Sequence, residues 1–243
     1  MFPTRALLIL AFFAPIAAAG DGPIQDNSFL VEEAYNQETR VVQHISNWTR
    51  DDDSGDWAYT FTQEWPVRSQ KHQLGFTLPY VHLEDRNGVG DLFVNWRYQA
   101  VGSGETPVAF APRLSLLLPT GDDDRGRGSG ELGAQVNLPL SVTLGKRFVS
   151  HLNAGATIVA DLDTWNAGAS LIWLARPRFN VMLESSYVEG DEDAIFLVSP
   201  GVRWSHDLKS GLQIVPGIAA PIGVGASSGA RSIFLYVSFE HPY

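Results

Sequence analysis

Six charged residues stand within strand-like segments, where a charge must meet water or a partner. They are three acids and three bases: Glu64, Arg97, Arg113, Glu184, Arg203 and Glu240. On the inner face of a closed sheet, rings of such charges select ions in a water-filled passage. The same charges would also brace a narrow interior by pairing across it. Both interpretations stay open, and both need a sheet that turns these residues inward.

The segments that carry these charges alternate apolar side chains with polar or small ones. In the clearest segment, Trp57, Tyr59 and Phe61 alternate with small or polar residues. A period of two predicts strands. It predicts about twelve of them, at residues 41–48, 57–65, 74–80, 92–98, 108–118, 132–140, 152–160, 165–175, 179–187, 194–204, 212–220 and 233–243. Apart from the charges, the inward-facing positions carry polar or small residues, so we expect an interior lined by polar and small side chains.

The first nineteen residues have the pattern of an export signal. Arg5 supplies the positive charge, residues 6–18 are apolar, and Ala17 and Ala19 stand at the positions expected for cleavage. A membrane-spanning helix is the alternative, but the apolar stretch falls short of the ~20 residues that cross a bilayer, and Pro15 interrupts it. We therefore predict a cleaved signal peptide at residues 1–19.

Composition narrows the possible partners. A net charge of −10 argues against nucleic acid, and the absence of cysteine excludes disulfide frameworks and thiolate metal sites. No linker rich in proline or serine divides the chain. We expect one domain at residues 39–243 and no cofactor.

The alternation alone fits either a soluble β-sandwich or a membrane barrel. The aromatic residues favour the barrel, because most of them stand near segment ends, where barrels carry aromatic girdles. The last segment ends on Tyr243, and a terminal aromatic resembles the signal that the bacterial barrel-assembly machinery recognises. We expect an all-β fold: a closed antiparallel transmembrane β-barrel in the outer membrane, in contact with its lipid and lipopolysaccharide.

The connections between the predicted strands sort by charge. Those after odd-numbered strands are acidic and include the runs Asp51, Asp52, Asp53 and Asp122, Asp123, Asp124. Those after even-numbered strands are basic and include Arg68, Lys71, Lys146 and Arg147. If the chain starts in the periplasm, the acidic connections lie outside the cell. The two acidic runs are weak candidates for divalent cations, because they lack the ordered spacing of a calcium loop; solvated loops are the alternative.

The stretch before the first strand, residues 20–38, is a candidate periplasmic element. An apolar patch at 29–31 is followed by Glu32 and Glu33, and the stretch could form two helical turns. One hypothesis is a plug in the periplasmic mouth of the barrel, with Glu32 and Glu33 meeting Arg97 or Arg203. The other is a flexible tail.

Enzymatic chemistry has little support in the sequence. Some outer-membrane barrels cleave lipids with a serine and a histidine at the outer rim, yet here only His82 falls near a predicted outer edge. No HExxH motif is present. The GxGxxG match at Gly128, Gly130 and Gly133 leads into a strand, whereas phosphate binding requires a helix. We predict that the protein is not an enzyme.

Three phrases carry a family resemblance. They are QDNSFLVEEAYNQETRVVQHISNW at residues 25–48, GVGDLFVNWRYQ at 88–99 and RLSLLLPTGDD at 113–123. The first resembles the start of bacterial outer-membrane transporters related to the MetA-pathway of phenol degradation family. The other two resemble the G-x-G-D strand start and L-P-T-G strand end of those proteins. The resemblance implies a barrel that transports small hydrophobic or aromatic compounds, and it supplies no site residues.

Together these features predict a passive channel or transporter for small solutes. The first alternative is a structural or lipopolysaccharide-interacting barrel without an open pore, because twelve strands lie between the filled eight-stranded barrels and the open barrels of 16 to 18 strands. The second is a lipid-modifying outer-membrane enzyme.

Overall fold

The computed structural model describes residues 24, 28–84, 86–159, 162–190 and 194–243, so the predicted signal peptide lies outside the described residues. The described chain folds into twelve antiparallel barrel strands, some of them in two segments. They are β1 (Val41–Asp51), β2 (Trp57–Val67), β3 (Ser69–Leu83), β4 (Arg86–Val89 and Leu92–Tyr98), β5 (Val108–Phe110 and Arg113–Leu118), β6 (Gly133–Asn137 and Leu140–Leu144), β7 (Phe148–Val159), β8 (Leu162–Arg176), β9 (Phe179–Glu189), β10 (Ile195–Trp204 and His206–Asp207), β11 (Gln213–Ala219 and Ile222–Gly223) and β12 (Ser232–Pro242). The predicted all-β fold and strand number are confirmed.

Pairing between the first and last strands closes the barrel. Each strand pairs with the next along the chain, and β1 pairs with β12 from Val41 opposite Pro242 to Asp51 opposite Ser232. In the described part of the chain, this closure pairs the first and last strands with each other, which satisfies their backbone polar groups in a lipid environment.

Proline residues interrupt strands that the sequence predicted to be continuous. The predicted strands 108–118, 132–140 and 212–220 end or break near Pro112, Pro139 and Pro221, which lie between or just beyond the observed segments of β5, β6 and β11. Proline has no N–H to donate to the ladder, so regular pairing stops there. The strand faces are nevertheless as predicted, with Leu114 and Leu116 exposed and Ser115 buried.

The exterior is apolar with aromatic residues near both ends of the strands. Exposed leucine, valine and isoleucine side chains cover the middle. Towards one end Trp57 stacks on His82, with ring centroids 5.6 Å apart, and towards the other His72 stacks on Trp96 at 5.9 Å. No helix among the described residues is long and apolar enough to cross a membrane.

The two ends of the barrel differ in the charge of their connections. We call the end with residues 52–56, 84 and 119–132 the acidic end, and the end with residues 68, 145–147 and 208–212 the basic end. Residues 119–132 form the longest of these connections and contain a short 3₁₀ turn, Asp123–Arg125.

The interior has two unlike sides. Strands β2 to β7 present mainly polar side chains, and the Thr62 and Thr77 hydroxyl oxygens lie 2.8 Å apart. Strands β1, β8, β9, β11 and β12 instead contribute a buried apolar cluster: Ile45, Ile172, Met182, Val215, Ala219, Phe234 and Tyr236. The expectation of an interior with only polar or small residues besides the charges was therefore wrong on this side, because large apolar residues also occupy inward positions.

Candidate functional site

Residues 28–40 form the lumen segment, which lies inside the barrel as far as residue 37 and is exposed at residues 38–40. Val31, Ala34 and Asn36 are at most 2% exposed. The two helical turns predicted for this region do not form in the described residues 28–40, which follow an irregular path. Side chains of the barrel wall take the backbone hydrogen bonds that a helix would make internally.

The lumen segment is held at alternate residues. The amides of Leu30, Glu32, Ala34 and Asn36 donate to side chains of the wall. The acceptors are Glu184 (3.0 Å), Asn153 (2.8 Å), Ser141 (2.8 Å) and Gln99 (2.9 Å), in that order. The first three acceptors belong to β9, β7 and β6, and Gln99 directly follows β4. Side chains of the wall thus accept the backbone hydrogen bonds that a neighbouring strand would accept in a sheet.

Arg97 is buried and reaches three residues of the lumen segment. Its side chain is only 2% exposed. It donates to the Tyr35 carbonyl at 2.7 Å, to the Glu33 carbonyl at 3.3 Å and to Asn36 Oδ1 at 3.0 Å. It also lies 3.5 Å from the Glu64 carboxylate. The plug hypothesis expected Glu32 and Glu33 to meet Arg97 or Arg203. Glu33 does contact Arg97, but through its backbone carbonyl.

Arg113 pairs with Glu32. Its Nε donates to Glu32 Oε2 at 3.0 Å, and Nη2 donates to Oε1. This arginine differs from the two that the sequence suggested as partners of Glu32. Arg113 is the nearer one because Glu32 lies beside Asn153, halfway along β7.

Phe29 fills a notch in the apolar side of the lumen. Its ring centroid is 5.5 Å from Phe234 and 5.4 Å from Tyr236. A Cβ atom added at Gly217 would lie 2.4 Å from the Phe29 ring, and one added at Gly201 would lie 2.7 Å away. Glycine at these two wall positions therefore makes the room that the phenyl ring occupies.

The remaining charged candidates also face inward but do not form one ring. Glu184 accepts from the Leu30 amide, and Arg203 donates to the Ile24 carbonyl at 3.3 Å. Glu240 accepts from Gln43 at 2.8 Å, close to the basic end. The charges lie at different depths, and several of them bind the lumen segment.

Cavities lie on both sides of the lumen segment. The cavity towards the acidic end has a volume of about 480 Å³ and is lined by residues 28–32 with wall residues such as Thr60 and Asn95. Two cavities towards the basic end, of about 330 and 460 Å³, are lined by segment residues that include Tyr35. The segment thus separates the space of the lumen into an acidic-end part and a basic-end part.

The acidic runs differ in arrangement. Carboxylate oxygens of Asp122, Asp123 and Asp124 lie within 4.8 Å of one another, but Asp122 already pairs with Arg125 at 3.2 Å and Arg127 at 2.8 Å. Asp51 accepts from the amides of Asp53 and Ser54 in its own turn. Both runs are thus engaged in local loop structure.

His82, the candidate for rim chemistry, has ordinary structural partners. It stacks on Trp57, and its Nδ1 lies 2.8 Å from Asn87 Oδ1.

Uncharged wall residues that bind the lumen segment were missed from the sequence. Asn153, Ser141, Gln99 and Gln73 each accept a hydrogen bond from one of its amides. Their positions could have identified them, because each lies at an inward-facing position in or directly after its strand, as the charged residues do.

Solved outer-membrane barrels share this fold. The COG4313 outer membrane channel from Pseudomonas putida F1 matches with a TM-score of 0.62 and 13% identity, over 86% of this chain and 98% of that one. The KdgM and NanC porins match with TM-scores of 0.55 and 0.56, each with 8% identity over 81% of this chain and 98% of theirs. No curated protein matches this chain. The apolar exterior and this fold place the chain in the outer membrane.

A family model covers most of the sequence. It is described as "Putative MetA-pathway of phenol degradation" and matches residues 19–214. This range includes the lumen segment, strands β1 to β10, and Arg97 and Arg113. The chain therefore belongs to the family of that description.

Proposed function

We propose that this barrel is a passive channel for small solutes, and that the lumen segment limits what passes. The observation that carries the proposal is the division of the lumen by residues 28–40, with cavities of about 480 Å³ on one side and 330 and 460 Å³ on the other. Hydrogen bonds to uncharged side chains hold much of the segment. Such contacts are individually worth about 1 kcal/mol, so parts of the segment can shift within an intact barrel.

The acidic end faces the cell exterior in this proposal. The connection 119–132 lies there, and barrels carry their longer loops outside. The carboxylates of this end would then meet divalent cations that bridge lipopolysaccharide. Tyr243, which directly follows strand β12, is 65% exposed at the basic end, and we assign contact with the assembly machinery to this strand.

The two-sided lumen favours solutes that have an apolar part. Phe29, Phe234 and Tyr236 form an aromatic group on one side, and hydroxyl and amide side chains line the other. A hydrophobic or aromatic solute would contact the first side, and its polar groups would contact the second.

Planar-bilayer recording and liposome swelling test the proposal. We expect small conductance from the full chain and a several-fold larger conductance from a variant that lacks residues 20–36. Heat-modifiable gel mobility checks that both barrels are folded. A folded deletion variant that conducts no better than the full chain, with neither admitting solutes to liposomes, would instead support a structural barrel without an open pore.

A further inference from the structure

The guanidinium of Arg113 is held by the barrel wall independently of the lumen segment. Its Nη1 donates to Asn95 Oδ1 at 3.2 Å and to Ser115 Oγ, and its Nη2 donates to Gln135 Oε1 at 2.9 Å. These partners come from β4, β5 and β6, whose backbones are fixed by strand pairing. The wall therefore presents a preorganised cation with a fixed direction.

The carboxylate that binds Arg113 belongs to Glu32, whose backbone is held by a different wall residue. Glu32 faces the Arg113 guanidinium with both oxygens, the geometry by which arginine recognises carboxylates. Its backbone is held separately, since its amide donates to Asn153 at 2.8 Å and its carbonyl accepts from Asn153 at 2.9 Å. The Glu32 side chain can therefore leave Arg113 while its backbone stays in place.

The pair opens onto the acidic-end cavity. The side chains of Arg113 and Glu32 are 13% and 28% exposed. Both line the cavity of about 480 Å³, and Phe29 and Phe93 give the same cavity an apolar surface. A small molecule in this space would thus meet an arginine fork and aromatic rings together.

We infer that Arg113 binds the carboxylate of a small amphipathic solute and that Glu32 occupies this site as an internal competitor. The inference rests on the proposed channel function and names the class of solute, a monocarboxylate with an aromatic or short aliphatic body. The solute carboxylate replaces that of Glu32 on Nε and Nη2. Its apolar part lies against Phe29 and Phe93, and the released Glu32 side chain is hydrated in the cavity.

Benzoate and the uncharged benzamide, which has a similar size, test the site by calorimetric titration of the full chain in detergent. Glu32→Gln removes the competitor, so we expect about tenfold tighter benzoate binding than in the unchanged protein. Arg113→Gln should abolish benzoate binding. Benzamide binding should be the same in all three proteins, because it carries no charge for Arg113.

Glu38→Gln is the matched control, because it removes an exposed carboxylate from the same segment. Equal benzoate affinity in the unchanged and Glu32→Gln proteins, or benzoate binding that survives in folded Arg113→Gln, would overturn the inference. Liposome flux keeps the two proposals apart. If solutes enter the liposomes but benzoate and benzamide bind alike in all variants, the channel stands and the Arg113 site is rejected. If benzoate binds as expected but neither probe enters the liposomes, the site stands and the channel is rejected.

Discussion

Asp91 accepts two hydrogen bonds from Ser129, each 2.7 Å long, one from the backbone amide and one from the hydroxyl. Asp91 stands between the two segments of β4, and Ser129 belongs to the connection 119–132 at the acidic end. A third bond reaches Asp91 from the Gly121 amide at 2.9 Å. One carboxylate thus fastens the longest acidic-end connection to the barrel wall.

The same contact joins two of the sequence phrases that carry the family resemblance. Asp91 ends the G-x-G-D phrase, and Gly121 ends the L-P-T-G phrase. Between them, the Thr120 hydroxyl accepts from the Leu92 amide and donates to the Gly90 carbonyl, both at 3.0 Å. A Cβ atom at Gly121 would lie 2.4 Å from the Arg127 carbonyl oxygen, so the close approach requires glycine there.

Asp91→Ala should release this connection. The loss of three hydrogen bonds to a carboxylate removes contacts worth roughly 1.5–3 kcal/mol each before relaxation. We expect trypsin to cleave after Arg125 or Arg127 at least tenfold faster in liposome-embedded protein. Asp53→Ala, an exposed acid in another acidic-end connection, is the control. Equal cleavage rates in the Asp91 and Asp53 variants would contradict the fastening role.

Gly217→Ala should displace Phe29 from its notch. The added methyl group would lie 2.4 Å from the Phe29 ring, so the two groups would overlap and the ring would have to move. We expect the lumen segment to shift and the single-channel conductance to rise at least twofold. Phe29→Ala in the same chain restores space, so the double variant should behave like Phe29→Ala alone. An unchanged conductance in Gly217→Ala would show that Phe29 does not hold the segment in place.

The wall of the barrel was predictable because a lipid-facing sheet repeats every two residues. Arg97 and Glu184 were assigned to the inner face from parity alone, and both are buried there. The interruption at Pro112 was equally visible in the sequence, but alternation on both sides of it concealed the break. Alternation of apolar and polar residues shows which face of the sheet a residue occupies. It does not show whether the backbone hydrogen bonds between strands continue without a break.

The path of the lumen segment could not be predicted in the same way. It has no regular secondary structure, and its partners are distant in sequence: Leu30 binds Glu184, and Asn36 binds Gln99. Which wall residue meets which amide depends on how deeply the segment enters the barrel. The sequence suggested that Glu32 would meet Arg97 or Arg203. The depth to which the segment enters the barrel places Glu32 beside Arg113 instead.

A disulfide between Ser28→Cys and Ser170→Cys should lock the lumen segment to β8. The two hydroxyl oxygens are 2.9 Å apart, and the chain has no cysteine that would compete. If passage requires the segment to shift, oxidation should lower conductance severalfold and a reductant should restore it. Each single cysteine variant is a control and should not respond to the reductant. A verified cross-link that leaves conductance unchanged would mean that solutes pass without movement at this point.

Arg97→Met should weaken both the barrel and the seating of its lumen segment. The substitution removes four hydrogen-bonding contacts and leaves the Glu64 carboxylate without its arginine, a loss of about 3 kcal/mol for a buried pair. We expect a lower urea midpoint in lipid vesicles together with higher conductance. Adding Glu64→Gln should recover part of the stability, because no carboxylate is then left opposite the missing charge. Arg50→Met, at an exposed arginine of β1, should change neither quantity. If Arg97→Met and Arg50→Met unfold at the same urea concentration, Arg97 does not stabilise the lumen as its contacts indicate.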